Sequence, residues 1–511
     1  MTVDMEEDSP DPIVHDCELF NRRSEHPQPE TASPYPEARI DGQNRRFTSI
    51  DYLPNETLGA IFDEGRRVIT AREGSWLISV SRVSRRWRDV ALHTPFLWTN
   101  IYYGPRLKSL GYTCACLERS RNCPLDITLQ FVDDDYPHRM TSAAVKRVIH
   151  YVSLIVPHVN RWRTLDVHFR RHITLRIVLD RLPSKAAILK HVRLELDQGD
   201  VAHERPSRKM FCRGGPILVS IELRGISFAS CTLPSAQLTS LSLTRTNRSL
   251  RPSEFRRVLT SSPSLRELSL LGDIVSTGRE DWVSIHMPSL VSLTLSPGSD
   301  TNFAHLCTAL IMPALTSLIL QHFSGESIRI LIESFRPNTE KYPGLRLLEL
   351  RIVGHFDMST TVQISDLFKE CPMITQLSLI SLQSSVFVPL LERLHAQVTS
   401  SRAQTMASRI GNLDSLDTIF GVSVDTSRII LDVIARENDS PVLATPMLLP
   451  RLHTIAIAPI NRDNIAAICD LISTRCEIGQ AISCVKASSF ENVPLDRFQW
   501  LREHVCMLED L

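Results

Sequence analysis

Apolar positions follow two different rules along this chain. Between residues 53 and 98 they recur at helical spacing. Leu58, Ile61 and Phe62 share one face of a first helix, and Pro54 stands where a first-turn proline favours helix formation. Val83, Trp87, Val90 and Ala91 line the apolar side of a second helix, and Arg82, Arg85, Arg86 and Arg88 mostly face away from it. Pro95 ends that run, and Leu97 and Trp98 close the stretch. A unit of about 45 residues buries too little surface to be secure alone, so it is expected to lean on a neighbour, a partner, or both.

The second rule is a repeat. Trp162-x-x-Leu165-x-Val167 introduces a spacing that returns as Leu189-x-x-Val192-x-Leu194, Leu218-x-x-Ile221-x-Leu223 and Leu238-x-x-Leu241-x-Leu243. It continues at Leu265, Leu290, Leu315, Leu345 and Ile374. From Leu238 to Ile374 the first positions lie 27, 25, 25, 30 and 29 residues apart, and a proline precedes most of them by two residues. Each unit predicts one short strand with alternate residues inward. Amphipathic helices are expected at Ser253–Thr260, Phe303–Ile311, Ser327–Phe335 and Ile364–Glu370. A lone strand–helix unit cannot bury its apolar face, so such units stack in parallel. The outward strand positions then form a candidate binding face: Glu267, Ser269, Ser292, Thr294, Ser317, Ile319, Leu347, Glu349, Gln376 and Ser378. It is rich in Ser and Thr and shows no cluster of the Trp, Tyr and Arg residues that dominate binding hot spots.

The domain map follows. Residues 1–46 are acidic, Pro-rich and short of periodic apolar residues, and read as a disordered tail. Residues 47–98 form the helical unit, and 99–160 a linking strand and helix segment. Strands are expected at Ile101–Tyr103 and Pro124–Phe131, with helices at Tyr112–Ser120 and Ser142–Val156. Residues 161–390 are the repeat array. In 391–449 the register is lost, leaving two degenerate units or one insertion, and a strand at Asp414–Val424 and a helix at Ile429–Ala435 are candidate elements there. In 450–511 the pattern returns at Leu452, with a helix at Asp463–Ser473, a strand at Ile482–Ala487 and a C-terminal cap holding Phe498, Trp500 and Leu501.

The order Leu53-Pro54-x-Glu56-x-Leu58-x-x-Ile61-Phe62, Val83-Ser84-x-x-Trp87-Arg88, Pro95-x-Leu97-Trp98 resembles the F-box. Thr57, where the family usually has an aliphatic residue, and the long segment Asp63–Ser79 depart from its pattern. The repeat spacing resembles the leucine-rich repeat, without the Asn or Cys that usually follows each strand. The pairing of the two is similar to that in F-box proteins of basidiomycete, mushroom-forming fungi. The resemblance implies an α/β chain: an N-terminal helical F-box, then an irregular solenoid with parallel short strands and helices on the convex side. It also implies a substrate-recruiting subunit of a cullin–RING (SCF-type) ubiquitin ligase. The box would dock on a Skp-type adaptor, and the solenoid would bind an unknown protein target. The box residues singled out are Leu53, Pro54, Leu58, Ile61, Phe62, Val83, Trp87, Leu97 and Trp98. Leu53, Pro54 and Phe62 are expected at the adaptor, and Trp87 is expected to pack the module. The alternative is a ligase-independent scaffold using the same box.

Composition narrows the remaining classes. The chain has 511 residues, with 57 Lys plus Arg and 57 Asp plus Glu. This balance argues against a general nucleic-acid or anionic-membrane binder. No apolar run approaches the 18 or so residues of a membrane helix, and the acidic N-terminus lacks a signal-peptide h-region. The 12 cysteines read as reduced thiols of cytosol or nucleus. The tight group Cys114, Cys116 and Cys123 lacks the spacing of a zinc set. No phosphate-cradling, nucleophile-elbow or metalloprotease motif occurs, so neither cofactor nor metal is expected. The chain is read as a binding protein and not an enzyme, against the rival of a solenoid-borne hydrolase.

Overall fold

The computed structural model describes residues 50, 53–68, 75–104, 109–131, 142–197, 208–211, 217–228, 231–232, 236–245, 249–276, 282–335, 342, 344–351, 358–380, 448–460, 462–477 and 479–510. The expected tail at 1–46 and the candidate elements at Asp414–Val424 and Ile429–Ala435 lie outside them. The chain divides into two compact units, Met1–Pro234 and Ser235–Leu511.

The first unit opens with helices α1 (Asn55–Val68), α2 (Ser75–Val80) and α3 (Arg85–His93) and a 3-10 turn, Pro95–Trp98. Strand β1 (Asn100–Tyr103), α4 (Leu110–Arg119), β2 (Leu125–Phe131), α5 (Ser142–Ile155), β3 (Trp162–Phe169), α6 (His172–Leu179) and β4 (His191–Leu196) follow. Two-residue β5 (Arg208–Lys209), β6 (Ser220–Arg224) and two-residue β7 (Cys231–Thr232) complete it. The main strands pair in parallel in the order β1-β2-β3-β4-β6. Residues 99–160, read as a linking segment, thus carry two strands of the same sheet. Between β4 and β6, and after β6, β5 and β7 pair with each other in parallel.

The second unit runs β8 (Ser240–Thr244), α7 (Pro252–Thr260), β9 (Glu267–Leu271), β10 (Ile285–His286), β11 (Ser292–Ser296), α8 (Asp300–Ala309), β12 (Leu310–Ile311) and β13 (Ser317–Gln321). It continues with α9 (Gly325–Phe335), β14 (Leu347–Arg351), α10 (Met358–Glu370), β15 (Gln376–Ile380), β16 (Thr454–Ala458), α11 (Arg462–Glu477), β17 (Cys484–Ala487), α12 (Leu495–His504) and β18 (Met507–Asp510). All its main strands are parallel and lie in sequence order.

The Leu-x-x-Leu-x-Leu rule explains the core. In β9, β11, β13 and β14 the second and third apolar positions, Leu268, Leu270, Leu293, Leu295, Leu318, Leu320, Leu348 and Leu350, are buried. The register stacks them like on like, Leu268 beside Leu293 and Leu293 beside Leu318. The first positions, Leu265, Leu290, Leu315, Leu345 and Ile374, are buried just before each strand. Parallel strands need crossover connections, and α8, α9 and α10 supply them, packing one against the next.

Three findings refine the sequence reading. Strand β15 pairs directly with β16, and residues 381–447, where two degenerate units or one insertion were expected, lie outside the described residues. The C-terminal segment is more than a cap, because β18 adds a strand in parallel to β17. The missing Asn of the repeat is replaced in one turn by Asp273. Its Oδ1 accepts from Ser299 N at 2.9 Å, Ser299 Oγ at 3.0 Å and Asn302 Nδ2 at 3.1 Å. One unit thereby ties down the helix start of the next, where backbone N–H groups lack helical partners. Gly298 permits this approach, since a Cβ there would meet Asp273 Cγ at 2.5 Å.

Candidate functional site

Helices α1–α3 and the 3-10 turn form a module with its own small core: Leu58, Phe62, Leu77, Val80, Val90, Ala91, Leu97 and Trp98. Its connections are specific. Leu58 N donates to the Pro54 carbonyl at 3.0 Å, which makes Pro54 the residue preceding α1 and not its first turn. Trp76 Nε1 donates to the Phe62 carbonyl at 3.1 Å, fastening α2 to α1. The Phe62 and Trp87 rings lie 5.0 Å apart. Ser84 caps α3, its Oγ accepting from Trp87 N at 3.1 Å, as an N-cap serine does.

The module does not stand alone. Trp98 Nε1 donates to the Ala91 carbonyl at 2.7 Å. Its ring meets Tyr112 of α4 at 6.4 Å between centroids, and the Arg119 guanidinium lies 4.6 Å over it. This seat is apolar enough that burial pushes the Cys116 thiol up to about 12 and raises the Tyr112 phenol as well. Burial is the leading cause in both, so both groups stay neutral.

On the module's surface, a groove of about 700 Å³ opens between the start of α1, α3 and the 3-10 turn. Asn55, Glu56, Gly59, Arg86, His93 and Phe96 line it. Arg86 bridges its two helices, donating to Asn55 Oδ1 at 3.1 Å and to the Leu53 carbonyl.

The helical module is the part of the chain that comparison identifies. Residues 50–103 match the F-box-like family. No curated protein matches the chain.

Burial sorts the sequence-derived residues of this F-box-like domain into two groups. Leu58, Phe62, Leu97 and Trp98 are each at most 3 % exposed and build the domain's interior. Phe62, expected at the adaptor, is therefore a core residue, wedged between Trp87 and the Trp76 hydrogen bond. Leu53 is half-buried, Pro54 exposed, Ile61 44 % exposed and Val83 62 % exposed. Val83 falls short of the second helix, because Ser84 caps it and Arg85 begins it. Trp87 is half-buried, less enclosed than a core tryptophan. Phe96, 44 % exposed, lines the groove and was not singled out from the sequence. Its helical neighbours Leu97 and Trp98 are buried, so the short 3-10 turn alone decides which of the three faces out.

The ten outward strand positions fall where the repeat places them. Glu267, Ser292, Ser317, Leu347 and Gln376 form one row across β9–β15, and Ser269, Thr294, Ile319, Glu349 and Ser378 form the next. Glu349 and Ser378 are buried at 9 % and 3 % exposure and offer no surface in this chain. Glu349 pairs with Arg351, while Ser378 Oγ has no hydrogen-bond partner among the described residues.

A charged face in the first unit was missed. Outward positions of β2–β6 carry Asp126, Asp166, His168, Arg193, Glu195, Glu222 and Arg224. The signal was available: Asp-Val-His, Arg-Leu-Glu and Glu-Leu-Arg stand at the alternating positions of three consecutive repeats. Among the described residues no helix is long and apolar enough to cross a membrane.

Proposed function

We propose that this chain is a substrate-recruiting subunit of an SCF-type cullin–RING ubiquitin ligase. The F-box-like domain docks on a Skp-type adaptor, and the outward strand face of the repeats binds a protein target. The observation that carries this reading is the open groove within the matched residues. It is framed by Asn55, Arg86 and Phe96, next to Leu53 and Pro54, while Trp98 fixes the same domain to α4. A module anchored by a buried residue and open at the start of α1 is suited to hold a second chain at a set orientation to the strands of the first unit.

In this reading the chain works by binding and positioning, in cytosol or nucleus, and breaks no bond itself. Turnover by the purified chain in a broad hydrolase panel would overturn that part. The relationship to fungal F-box proteins belongs to the same proposal.

The test is co-purification of the tagged full chain with a Skp-type adaptor and cullin. Capture of both is expected from wild type and loss of both from the Leu53→Ala, Pro54→Ala double variant. Undiminished capture by a folded double variant would overturn the docking assignment. Capture of adaptor without cullin, and no target whose turnover depends on the chain, would favour the ligase-independent scaffold.

A further inference from the structure

The outward strand positions of the first unit differ sharply from those of the second. In the second it is mostly Ser, Thr and apolar residues. In the first, parallel register sets charged residues in rows. Asp126, Thr164, His191 and Ser220 make one row; Thr128, Asp166, Arg193 and Glu222 the next; Gln130, His168, Glu195 and Arg224 the third. Asp197 follows directly after β4.

Most of these charges are committed to one another. A bulge in β3 leaves Arg163 without a strand partner, and its Nε donates to Asp126 Oδ1 at 2.9 Å. Arg193 lies 3.2 Å from Glu195 and 3.5 Å from Glu222. Arg224 reaches the other Glu195 oxygen at 3.1 Å, and His168 Nε2 lies 2.8 Å from Asp197 Oδ1. Carboxylates outnumber guanidiniums in this set.

Asp166 is the exception. It occupies the middle row on the middle strand, between Thr128 and Arg193, and has no ion pair among the described residues. The guanidinium beside it is drawn to Glu195 and Glu222. Burial raises its carboxyl above the ordinary value; Arg193 and, less strongly, His168 oppose the rise, and Glu222 and Glu195 add to it. A half-buried carboxylate with opposite charges near it but no direct ion pair carries an electrostatic deficit that an incoming cation relieves.

We infer that this face docks an extended target segment bearing a lysine or arginine side chain, with Asp166 as the anchor of that cation. The inference rests on the reading of the chain as a target-binding protein and names the chemistry its first unit selects. The net excess of carboxylates supplies the charge complementarity. The surrounding ion pairs hold Arg193 and Glu222 in place, so the carboxylate is presented without rearrangement. The nearby trio His168, Glu195 and Asp197 is close enough to share a metal ion. Arg193 and Arg224 already hold Glu195, however, and a peptide-borne cation at Asp166 displaces neither.

The experiment uses the purified full chain on an array of glycine-flanked heptapeptides. The central residue is lysine, arginine, acetyl-lysine, glutamine or aspartate. Lysine and arginine peptides are expected to be retained at least about tenfold above glutamine and acetyl-lysine. Asp166→Asn, nearly isosteric, is expected to erase that preference; Lys369→Ala on the exposed side of α10 is expected to keep it. Equal retention of lysine and glutamine peptides by wild type, or a preference that survives Asp166→Asn in a folded variant, would overturn the inference. Adaptor capture measured on the same preparations separates the two claims. Loss of capture by wild type counts against the ligase reading, and loss of peptide preference counts against the docking face alone.

Discussion

The Arg86 guanidinium of α3 lies 3.1 Å from Asn55 Oδ1 and also donates to the Leu53 carbonyl. One side chain thus ties the second half of the F-box-like domain to the residues that begin its first helix. Leu53 and Pro54 precede α1; the Pro54 carbonyl accepts from Leu58 N and Leu53 N donates to the Ile50 carbonyl, and Arg86 adds the tie from α3 to the Leu53 carbonyl. Its planar fork reaches two acceptors at once, which a lysine cannot reproduce.

Arg86→Lys is therefore expected to weaken adaptor capture without unfolding the domain. The contact is partly exposed, so the loss is about 1 kcal/mol, or roughly fivefold in affinity. Titration calorimetry with purified adaptor reads the affinity, and far-ultraviolet circular dichroism checks the fold. Unchanged affinity would show that Leu53 and Pro54 are held by other means.

Burial ranks three substitutions in the same domain. Phe62→Ala empties a site that is 1 % exposed and is expected to cost about 3–5 kcal/mol. Trp87→Ala, from a half-buried ring 5.0 Å from Phe62, is expected to cost about 2 kcal/mol, below the range for fully buried aromatics. Val83→Ala, at a residue 62 % exposed, is expected to be near zero in stability. Hydrogen exchange of the α1 and α3 amides in the full chain reads the order. A Val83 variant as damaging as the Phe62 variant would contradict the packing described.

These rankings also show what the residue pattern did and did not reveal. Strand positions follow a period of two, so Leu268, Ser269 and Leu270 could each be assigned a face before any coordinates. Helix positions followed, with α7 and α9 within two residues of their expected bounds, whereas α10 begins six residues before its expected start and α11 ends four residues past its expected end. In the F-box-like domain the helices are short, and one residue decides a face. Ser84 takes the cap, so Val83 drops out of the helix that its spacing with Trp87 suggested. Phe62 and Ile61 are adjacent, and only packing against Trp76 and Trp87 determines which turns inward. Asp273 lies beyond local pattern altogether, because its partners Ser299 and Asn302 belong to the next unit.

Asp166 couples stability to pH with a definite sign. Its folded-state carboxyl titrates above the ordinary value, chiefly through burial, so the ionised form costs the folded chain stability. That cost is present at neutral pH and disappears as pH falls through the carboxylate range and the group protonates. Asp166→Asn is expected to unfold at a higher denaturant concentration than wild type at neutral pH, with the gap closing on acidification. Equilibrium unfolding at a series of pH values checks it. A variant that is more stable yet loses selectivity for cationic peptides would mark Asp166 as a residue kept for binding at the expense of stability.

Arg475 holds the turn that leads into β16. It is fully buried in α11, and its guanidinium donates to the Leu449 carbonyl at 2.9 Å, with longer contacts to Leu452 at 3.4 Å and Leu448 at 3.5 Å. These carbonyls belong to the turn that delivers the chain into β16, and Leu449 there adopts a positive φ of 47°. Burial pushes the guanidinium down to about 10, yet it stays charged at neutral pH and needs its acceptors. Arg475→Met preserves much of the side-chain volume but strands the carbonyls, each of which costs about 1–3 kcal/mol when buried without a donor. The expected result is a loss of about 3 kcal/mol or more, with faster amide exchange in β16 and α11 and little change in α1–α3. Hydrogen exchange with mass-spectrometric readout resolves these regions. Uniform destabilisation of the first unit's helices by this variant would contradict a local role for Arg475.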